Sequence, residues 1–313
     1  MTHSILSRSL AVTAAAALLA VVTPTQDQSS ASGSNGGFLT GLRGFEHFHE
    51  PMGQPIYFET PFNDTGIRAL YLKHDFGSNS LLQGGDVTVY AVQARVALSE
   101  RWQFIATKDG YSEISTGLLG DDDGWNDLAA GLKYVMHADR ENDYVVSGGV
   151  RYMTESGTRL YGLINGNVQE WSPFVSTAKG YMPGADGKSR LHTLSNLTLR
   201  VPSDTNSGNV VGHWDIHVDY DLNPDSNVVV APLFEVHGLH YLKDGATALP
   251  IGGGDYTNLG SQPAKNFVCW ASIGVRAEID HNLEFGACYE FALTDKDDDI
   301  WDKRISVDFL WRF

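Results

Sequence analysis

The last eleven residues, 303–313, constrain the fold of this chain more than any other stretch. Apolar side chains stand at every second position there, namely Ile305, Val307, Phe309, Trp311 and Phe313. Successive side chains of a strand point to opposite faces, so one face of this segment is apolar and aromatic and the other is mostly polar. The pattern predicts a β-strand that lies between an apolar and a polar environment.

This segment resembles the closing strand of bacterial outer-membrane β-barrels, which ends the chain on an aromatic residue. The resemblance implies that the terminal strand is the signal read by the outer-membrane barrel assembly machinery. Beyond residue 22 there is no apolar stretch near 18 residues long, so no helical membrane span is expected. A closed barrel is the other structure that satisfies every backbone group within lipid.

The N-terminus has the features of an export signal. Arg8 precedes an apolar run from Leu10 to Val22, which is the length of a signal-peptide core and short for a membrane span. We therefore assign residues 1–31 to a signal peptide, with cleavage between residues 23 and 32; an uncleaved membrane anchor is the alternative. The expected localisation is the outer membrane of a Gram-negative bacterium.

Alternation of apolar and polar residues predicts an all-β fold, a transmembrane antiparallel barrel of about twelve strands over residues 67–313. Short and long connections alternate between these segments, which favours a barrel over a soluble sandwich. Short turns are typical of the periplasmic side, so both termini are expected in the periplasm. The predicted strands cover 67–76, 86–98, 101–109, 126–136, 143–153, 171–180, 190–200, 212–222, 227–238, 266–278, 282–292 and 303–313.

Residues 32–66 precede the first predicted strand and do not share its alternation. They are rich in Gly, Pro and aromatic residues, with Glu46-His47-Phe48-His49-Glu50 at their centre. Two interpretations stay open: a plug that enters the lumen from the periplasmic end, or a periplasmic tether.

The segment from Asp123 to Tyr134 resembles a recurring stretch of a bacterial outer-membrane family named for the meta-pathway of phenol degradation. Gln93-Ala94-Arg95 and the run from Ala106 to Tyr111 are also similar to that family. The resemblance covers residues 85–155 and implies a channel for small solutes, with aromatic or hydrophobic compounds as candidates.

Charged side chains share one face of the predicted strands. A charge facing lipid at mid-membrane costs about 2–4 kcal/mol, so alternation places these residues in the lumen. They could form a charged constriction that selects solutes, or a salt-bridged interior that fills a narrow barrel. The candidates are Arg95, Lys133, Arg151, Arg200, Asp215, His217, Asp219, Glu235, Arg276, Glu284, Glu290, Arg304 and Asp308.

Two histidine-rich segments offer candidate metal ligands, although an ordinary polar face is the simpler interpretation of each. His213, Asp215 and His217 lie on one face of the eighth predicted strand, and imidazole with carboxylate suits zinc. Glu46, His47, His49 and Glu50 form the second candidate. We expect neither a bound metal nor a cofactor.

Two acidic runs, Asp121–Asp123 and Asp295–Asp299, fall in predicted external loops. Their carboxylates could be simply solvated, or could share divalent cations with lipopolysaccharide. The two cysteines, Cys269 and Cys288, are placed by alternation on opposite faces of neighbouring strands, so two free thiols are expected.

Transport is the function that these patterns favour. The expected partners are outer-membrane lipid, lipopolysaccharide, the barrel assembly machinery and a small-molecule solute. A net charge of −16 argues against nucleic acid, because phosphate contacts need a basic surface. The alternative is a structural or adhesive barrel that binds a partner through its external loops. A barrel phospholipase is disfavoured because no outward His and Ser with an orienting partner are found, so no catalytic residues are assigned and no enzyme activity is expected.

Overall fold

The computed structural model describes residues 36–161, 168–246, 254–256, 258, 266–294 and 302–313. Within these residues the chain forms fourteen β-strands. They are β1 (Gly66–Phe76), β2 (Gly85–Ala97), β3 (Trp102–Lys108), β4 (Tyr111–Thr116), β5 (Gly120–Trp125), β6 (Ala129–Asp139), β7 (Tyr144–Met153), β8 (Glu170–Tyr181), β9 (Leu191–Pro202), β10 (Val210–Tyr220), β11 (Val228–Lys243), β12 (Phe267–Ile279), β13 (Leu283–Ala292) and β14 (Lys303–Arg312).

The strands close into an antiparallel barrel. β1 pairs with β2 on one side and with β14 on the other, so the sheet has no free edge at the join. Tyr71 marks the join, lying opposite Tyr90 of β2 and Val307 of β14. Phe313 continues the pairing with a backbone hydrogen bond to Thr65.

The fourteen strands occupy twelve positions in the barrel wall. One half of β2 pairs with β3 and the other half with β4, so β3 and β4 are two pieces of one wall strand. β5 pairs with β4 and β6 with β3, so β5 and β6 form the next wall strand in the same way. The predicted twelve-strand antiparallel barrel is therefore confirmed.

Strand direction assigns each connection to one of two ends of the barrel, and the longest connections share one end. At the turn end the strands are joined by residues 98–101, 140–143, 182–190, 221–227 and 280–282. At the loop end they are joined by residues 77–84, 117–119, 154–169, 203–209, 244–266 and 293–302. The start of β1 and the end of β14 both lie at the turn end, as the alternation of connection lengths predicted.

Two predicted loops differ in the structure. The expected loop at 110–125 is a hairpin of β4 and β5, and the acidic run Asp121–Asp123 lies within β5. From Gly120 to Gly124, β5 contains only glycine and aspartate, so no alternation of apolar and polar residues marked this segment as a strand. The long loop expected from residue 239 begins at 244, because β11 extends to Lys243. The second acidic run, Asp295–Asp299, lies outside the described residues.

The outer face is apolar and the interior is polar and charged. Tyr90, Val92, Ile216 and Phe285 are among the large apolar residues exposed on the outside. Cys269 is half-buried and Cys288 is buried, and both thiols are free, as predicted. Across the described residues, no helix has the length and hydrophobicity needed to cross a membrane.

Candidate functional site

Residues 41–65 form a plug inside the barrel, which favours the plug over the tether. The segment enters and leaves at the turn end, where Leu42 N donates to Asn63 O (2.7 Å) and the Asn63 side chain donates to Ser99 O (2.9 Å). Its far end approaches the opposite opening. There Tyr57 OH donates to the Glu170 carboxylate (2.9 Å), at the loop end of β8.

The part of the plug nearest the turn end packs through apolar side chains. Their rings and methyl groups meet inward-facing residues of β6 to β9 and form one buried cluster. Burial of each such side chain contributes about 1.5–3 kcal/mol. The cluster contains Leu42, Phe45, Phe48, Phe58, Phe62, Val135, Val145, Ala178 and Leu194.

Glu59 of the plug forms ion pairs with three cations of the barrel wall. Its carboxylate lies 2.9 Å from Arg95 Nε, 2.9 Å from Lys133 Nζ and 3.5 Å from Arg151 Nη2. Burial by itself would raise the pKa of Glu59, but these positive charges lower it to about 2. The carboxylate is therefore ionised at neutral pH and ties the plug to β2, β6 and β7.

Glu50 forms a second anionic contact next to the join between β1 and β14. Its carboxylate lies 2.8 Å from Arg95, 3.7 Å from Arg68 and 3.9 Å from Arg312. The Glu50 carbonyl also accepts a hydrogen bond from Arg276 Nε (2.7 Å). The plug thus bonds both the first and the last strand of the barrel.

The plug backbone comes close to the wall at Gly53. The amides of Met52 and Gly53 donate to the two oxygens of Glu235, at 2.8 and 2.6 Å. A Cβ at residue 53 would lie 2.3 Å from His237 Nε2 and 2.7 Å from Ser272 Oγ. Only glycine lets the chain approach this closely.

The described part of the 244–266 loop closes the lumen from the loop end. The carbonyl of Gly254 accepts from Arg200 Nη1 (2.8 Å), and Asp255 makes two bonds to Arg304 (2.7 and 2.8 Å). Asn258 donates to the carboxylate of Glu170 (3.1 Å), which also accepts from Tyr57. Plug and loop therefore meet at Glu170.

Imidazole and carboxylate groups alternate along the interior of β9 to β11. His237 Nδ1 lies 2.9 Å from Asp215, and His217 Nδ1 lies 2.6 Å from Glu235. His217 Nε2 is 2.7 Å from Asp219. The predicted set of His213, Asp215 and His217 is not gathered at one point, since each pairs with a different partner and His213 faces Gln54 of the plug (3.1 Å).

The structure places every predicted lumen residue inside the barrel and buries all of them. A role in solute selection stays a prediction, because the plug and the 254–258 segment already occupy many of their polar groups. These residues are Arg95, Lys133, Arg151, Arg200, Asp215, His217, Asp219, Glu235, Arg276, Glu284, Glu290, Arg304 and Asp308.

Sequence reasoning missed several interior residues. Arg68 lies on β1, whose alternation is weak, and Glu170 falls one residue before the predicted start of its strand. Glu59 lies in an irregular segment that carries no periodicity. The sequence feature that could have identified Glu59 is its position as a lone acidic residue in an apolar stretch, because such a residue needs a cationic partner once it is buried.

A groove lies on the outer face beside the two broken wall strands, and β1, β2, β13 and β14 also line it. The pieces of the first broken strand are separated by Asp109 and Gly110, and Asn126 N donates to Gly110 O (2.9 Å) instead of continuing a regular ladder. Gly110 has φ of 98°, and a Cβ there would lie 2.0 Å from Tyr90 O. The groove has a volume of about 910 Å³.

The lining of this groove is mostly apolar and aromatic. Tyr111 and Trp125 stand edge to face across the break, with ring centroids 5.4 Å apart. A volume of this size falls within the range of about 300–1,000 Å³ found for small-molecule pockets. The apolar side chains that line it are Ala69, Leu70, Tyr71, Tyr90, Ala91, Val92, Tyr111, Trp125, Leu128, Phe285, Val307 and Phe309.

Comparison with solved structures finds bacterial outer-membrane β-barrels. The COG4313 outer membrane channel from Pseudomonas putida F1 is 11% identical with a TM-score of 0.53, and the match covers 85% of this chain and 100% of that one. The NanC porin is 12% identical with a TM-score of 0.46, covering 80% of this chain and 100% of that one. A KdgM porin in complex with disordered oligogalacturonate is 10% identical with a TM-score of 0.42, covering 79% and 99%.

At these identities the likeness shows the fold alone. No protein-family model matches the chain, and no curated protein does so either. The closed barrel, with its apolar outer face and charged interior, is that of a bacterial outer-membrane protein, and the predicted localisation is confirmed.

Proposed function

We propose that this protein is an outer-membrane channel for small hydrophobic or aromatic solutes that enter through the groove in the barrel wall. The observation that carries the proposal is the contrast between a lumen filled with paired charges and an apolar groove of about 910 Å³ on the outer face. The similarity of fold to a solved outer-membrane channel supports a transport role.

An apolar solute dissolved in the membrane reaches this groove without crossing water. Tyr90, Tyr111 and Trp125 offer aromatic faces on which a planar ring can stack. The strand break at Asp109 and Gly110 interrupts the ladder between β2 and its neighbour, where residues 91–93 have no strand partner on that side, and this gives a solute a way inward. Onward passage then requires the plug to shift.

The same proposal includes an orientation in the membrane and a family. The start of β1 and the end of β14 lie at the same end as most of the short turns. This favours a turn end in the periplasm and a loop end outside the cell. Lipopolysaccharide then surrounds the loop end, and β14, with its alternating apolar face, is the strand that the barrel assembly machinery binds. The segment from Asp123 to Tyr134, which spans the break between β5 and β6, supports membership of the family named for phenol degradation.

The groove is tested by filling it. Val92 and Val275 are both outward-facing valines with similar exposure, 50% and 42%, but only Val92 lines the groove. Uptake of radiolabelled naphthalene is measured in cells that express the wild type, Val92→Trp, Val275→Trp or no channel. We expect the wild type and Val275→Trp to raise uptake equally and Val92→Trp to return it towards the level without channel.

Equal uptake by cells with and without the channel would contradict a role in hydrophobic transport. The plug is tested separately by conductance in a planar bilayer, beside a chain that lacks residues 32–62. We expect the full chain to be closed and the truncated chain to conduct, whereas equal conductance of both would show that the plug is no barrier to ions.

A further inference from the structure

Four potential metal ligands meet where the plug touches the wall near the turn end. His49 comes from the plug, His192 from β9, Asp219 from β10, and Asp221 from the residue that follows β10. One ligand atom from each residue lies within 4.8 Å of the others, and all four residues are buried. Tetrahedral zinc, with bonds of about 2.0–2.2 Å, needs donor atoms roughly 3.3 Å apart, which small side-chain rotations achieve here.

The hydrogen-bonding pattern of His192 points to a cation between these residues. Its Nε2 lies 3.1 Å from the carbonyl of Ser189, and its Nδ1 lies 2.7 Å from the Asp219 carboxylate. Both partners only accept hydrogen bonds, whereas a neutral imidazole carries a single N–H. A metal ion bound by Nδ1 and by the Asp219 carboxylate accounts for this pattern, because it leaves the single N–H of the ring on Nε2, facing the Ser189 carbonyl.

His49 has a carboxylate near each of its ring nitrogens, but only one of the two contacts is a hydrogen bond. Its Nε2 lies 2.7 Å from Asp221, and its Nδ1 lies 3.4 Å from Glu278 Oε2. Within the described residues, neither that Nδ1 nor that Glu278 oxygen makes any hydrogen bond. Both atoms are buried and face each other at a distance that a slight shift of the ring would turn into a hydrogen bond.

We propose that His49 Nε2, His192 Nδ1, Asp219 and Asp221 bind one divalent transition-metal ion, with zinc as the best fit to two imidazoles and two carboxylates. The far nitrogen of each histidine then donates its single proton, to Glu278 in one case and to Ser189 O in the other. This arrangement of a ligating histidine with an outer acceptor is the usual one in zinc sites. The second oxygen of Asp219 accepts from His217 Nε2 (2.7 Å), which orients that carboxylate too.

The charges are balanced by the same ion. Two carboxylate ligands offset the two positive charges of the metal, and Glu278 is stabilised by the polarised imidazole of His49. Without an ion, the buried carboxylates of Asp219 and Asp221 depend on the imidazoles of His49, His192 and His217 for their partners. A metal ion therefore satisfies the hydrogen-bonding and charge requirements together.

Such an ion joins the plug to the barrel through residues far apart in the chain, since His49 and Asp221 are separated by 172 positions. It holds the plug close to the opening through which the plug would leave. This proposal does not depend on the proposed transport function, because binding of the ion is measured without any solute.

The test uses the full mature chain refolded in detergent, with and without Zn²⁺, followed by washing with a chelator and measurement of zinc per chain. We expect one ion per chain after refolding with zinc, and a Co²⁺-refolded sample with the visible absorption of a tetrahedral site. His192→Gln and Asp221→Asn should lose the ion. Glu278→Gln keeps all four ligands and should weaken binding by about 10–100-fold.

His213→Gln is the matched control, because it removes another buried, plug-facing imidazole without removing a ligand. It should retain one ion per chain. Wild-type protein with no bound zinc would overturn the proposal and leave doubly protonated histidines as the explanation. Zinc retained equally by His192→Gln and Asp221→Asn would also overturn it, by showing that the ion binds elsewhere.

Discussion

A comparison of the two faces of β2 shows which contacts hold this barrel closed and where its wall can open. On the inner face, Arg95 bonds both Glu50 and Glu59 of the plug, at 2.8 and 2.9 Å. On the outer face, Tyr90 and Val92 line an apolar groove beside a broken strand. Charge-assisted hydrogen bonds in a dry interior are short and strong, whereas the groove is held by weaker ring contacts. We infer that the lumen is the rigid part and the wall the adaptable part.

Removing one interior charge should have the largest effect. Glu59→Gln leaves Arg95, Lys133 and Arg151 buried without their shared anion, so we expect a loss of about 3–5 kcal/mol in the free energy of unfolding. Urea unfolding of the refolded protein measures it. Glu46→Gln is the control, since this plug residue is partly exposed and pairs only at the surface, and it should change stability by less than about 0.5 kcal/mol.

A mild effect of Glu59→Gln, equal to that of Glu46→Gln, would contradict the rigid interior. It would mean that water enters the lumen and solvates the three cations.

Acid should weaken the interior and spare the groove. The pKa of Glu59 is lowered to about 2 from an ordinary value of 4.5, so its ionised form stabilises the folded state fully above 4.5. That stabilisation is lost progressively as the pH falls towards 2. Unfolding free energies of the wild type and Glu59→Gln, measured across this range, should converge at low pH. A constant gap between them would show that Glu59 does not titrate as proposed.

Removing an outer aromatic ring should have the smallest effect on stability. Trp125 is 65% exposed and meets only the edge of Tyr111, so Trp125→Ala should cost about 0.5–1.5 kcal/mol. Trp171→Ala, which removes a ring that contacts Tyr152 outside the groove, should cost a similar amount. Only Trp125→Ala should reduce naphthalene uptake. Equal uptake by the two variants would show that the groove is not needed for transport.

Sequence periodicity predicted the wall of the barrel well and its contents poorly. Most strands carry their own alternation, so the inward placement of residues such as Arg276 and Glu284 follows from the local pattern. The partners of these residues come from an irregular segment, and no local pattern indicates that Glu50 meets Arg312. The same limit applies to His49 and Asp219, which belonged to two separately noted histidine-rich segments and come together only in three dimensions.

The strand break was missed for a different reason. The acidic residues of β5 have low strand propensity, and they form a strand here because they pair with β4, which in turn pairs with β2. Pairing partners outweigh local preference in this part of the wall.

The contacts of Glu50 tie barrel closure to the position of the plug. Arg68 lies on β1 and Arg312 on β14, the two strands that pair at the join. The full set of cations around Glu50 therefore exists only when these two strands are paired. A barrel in which this pairing is open leaves Glu50 without its complete set of cations, so closure of the join and complete pairing of the plug depend on one another.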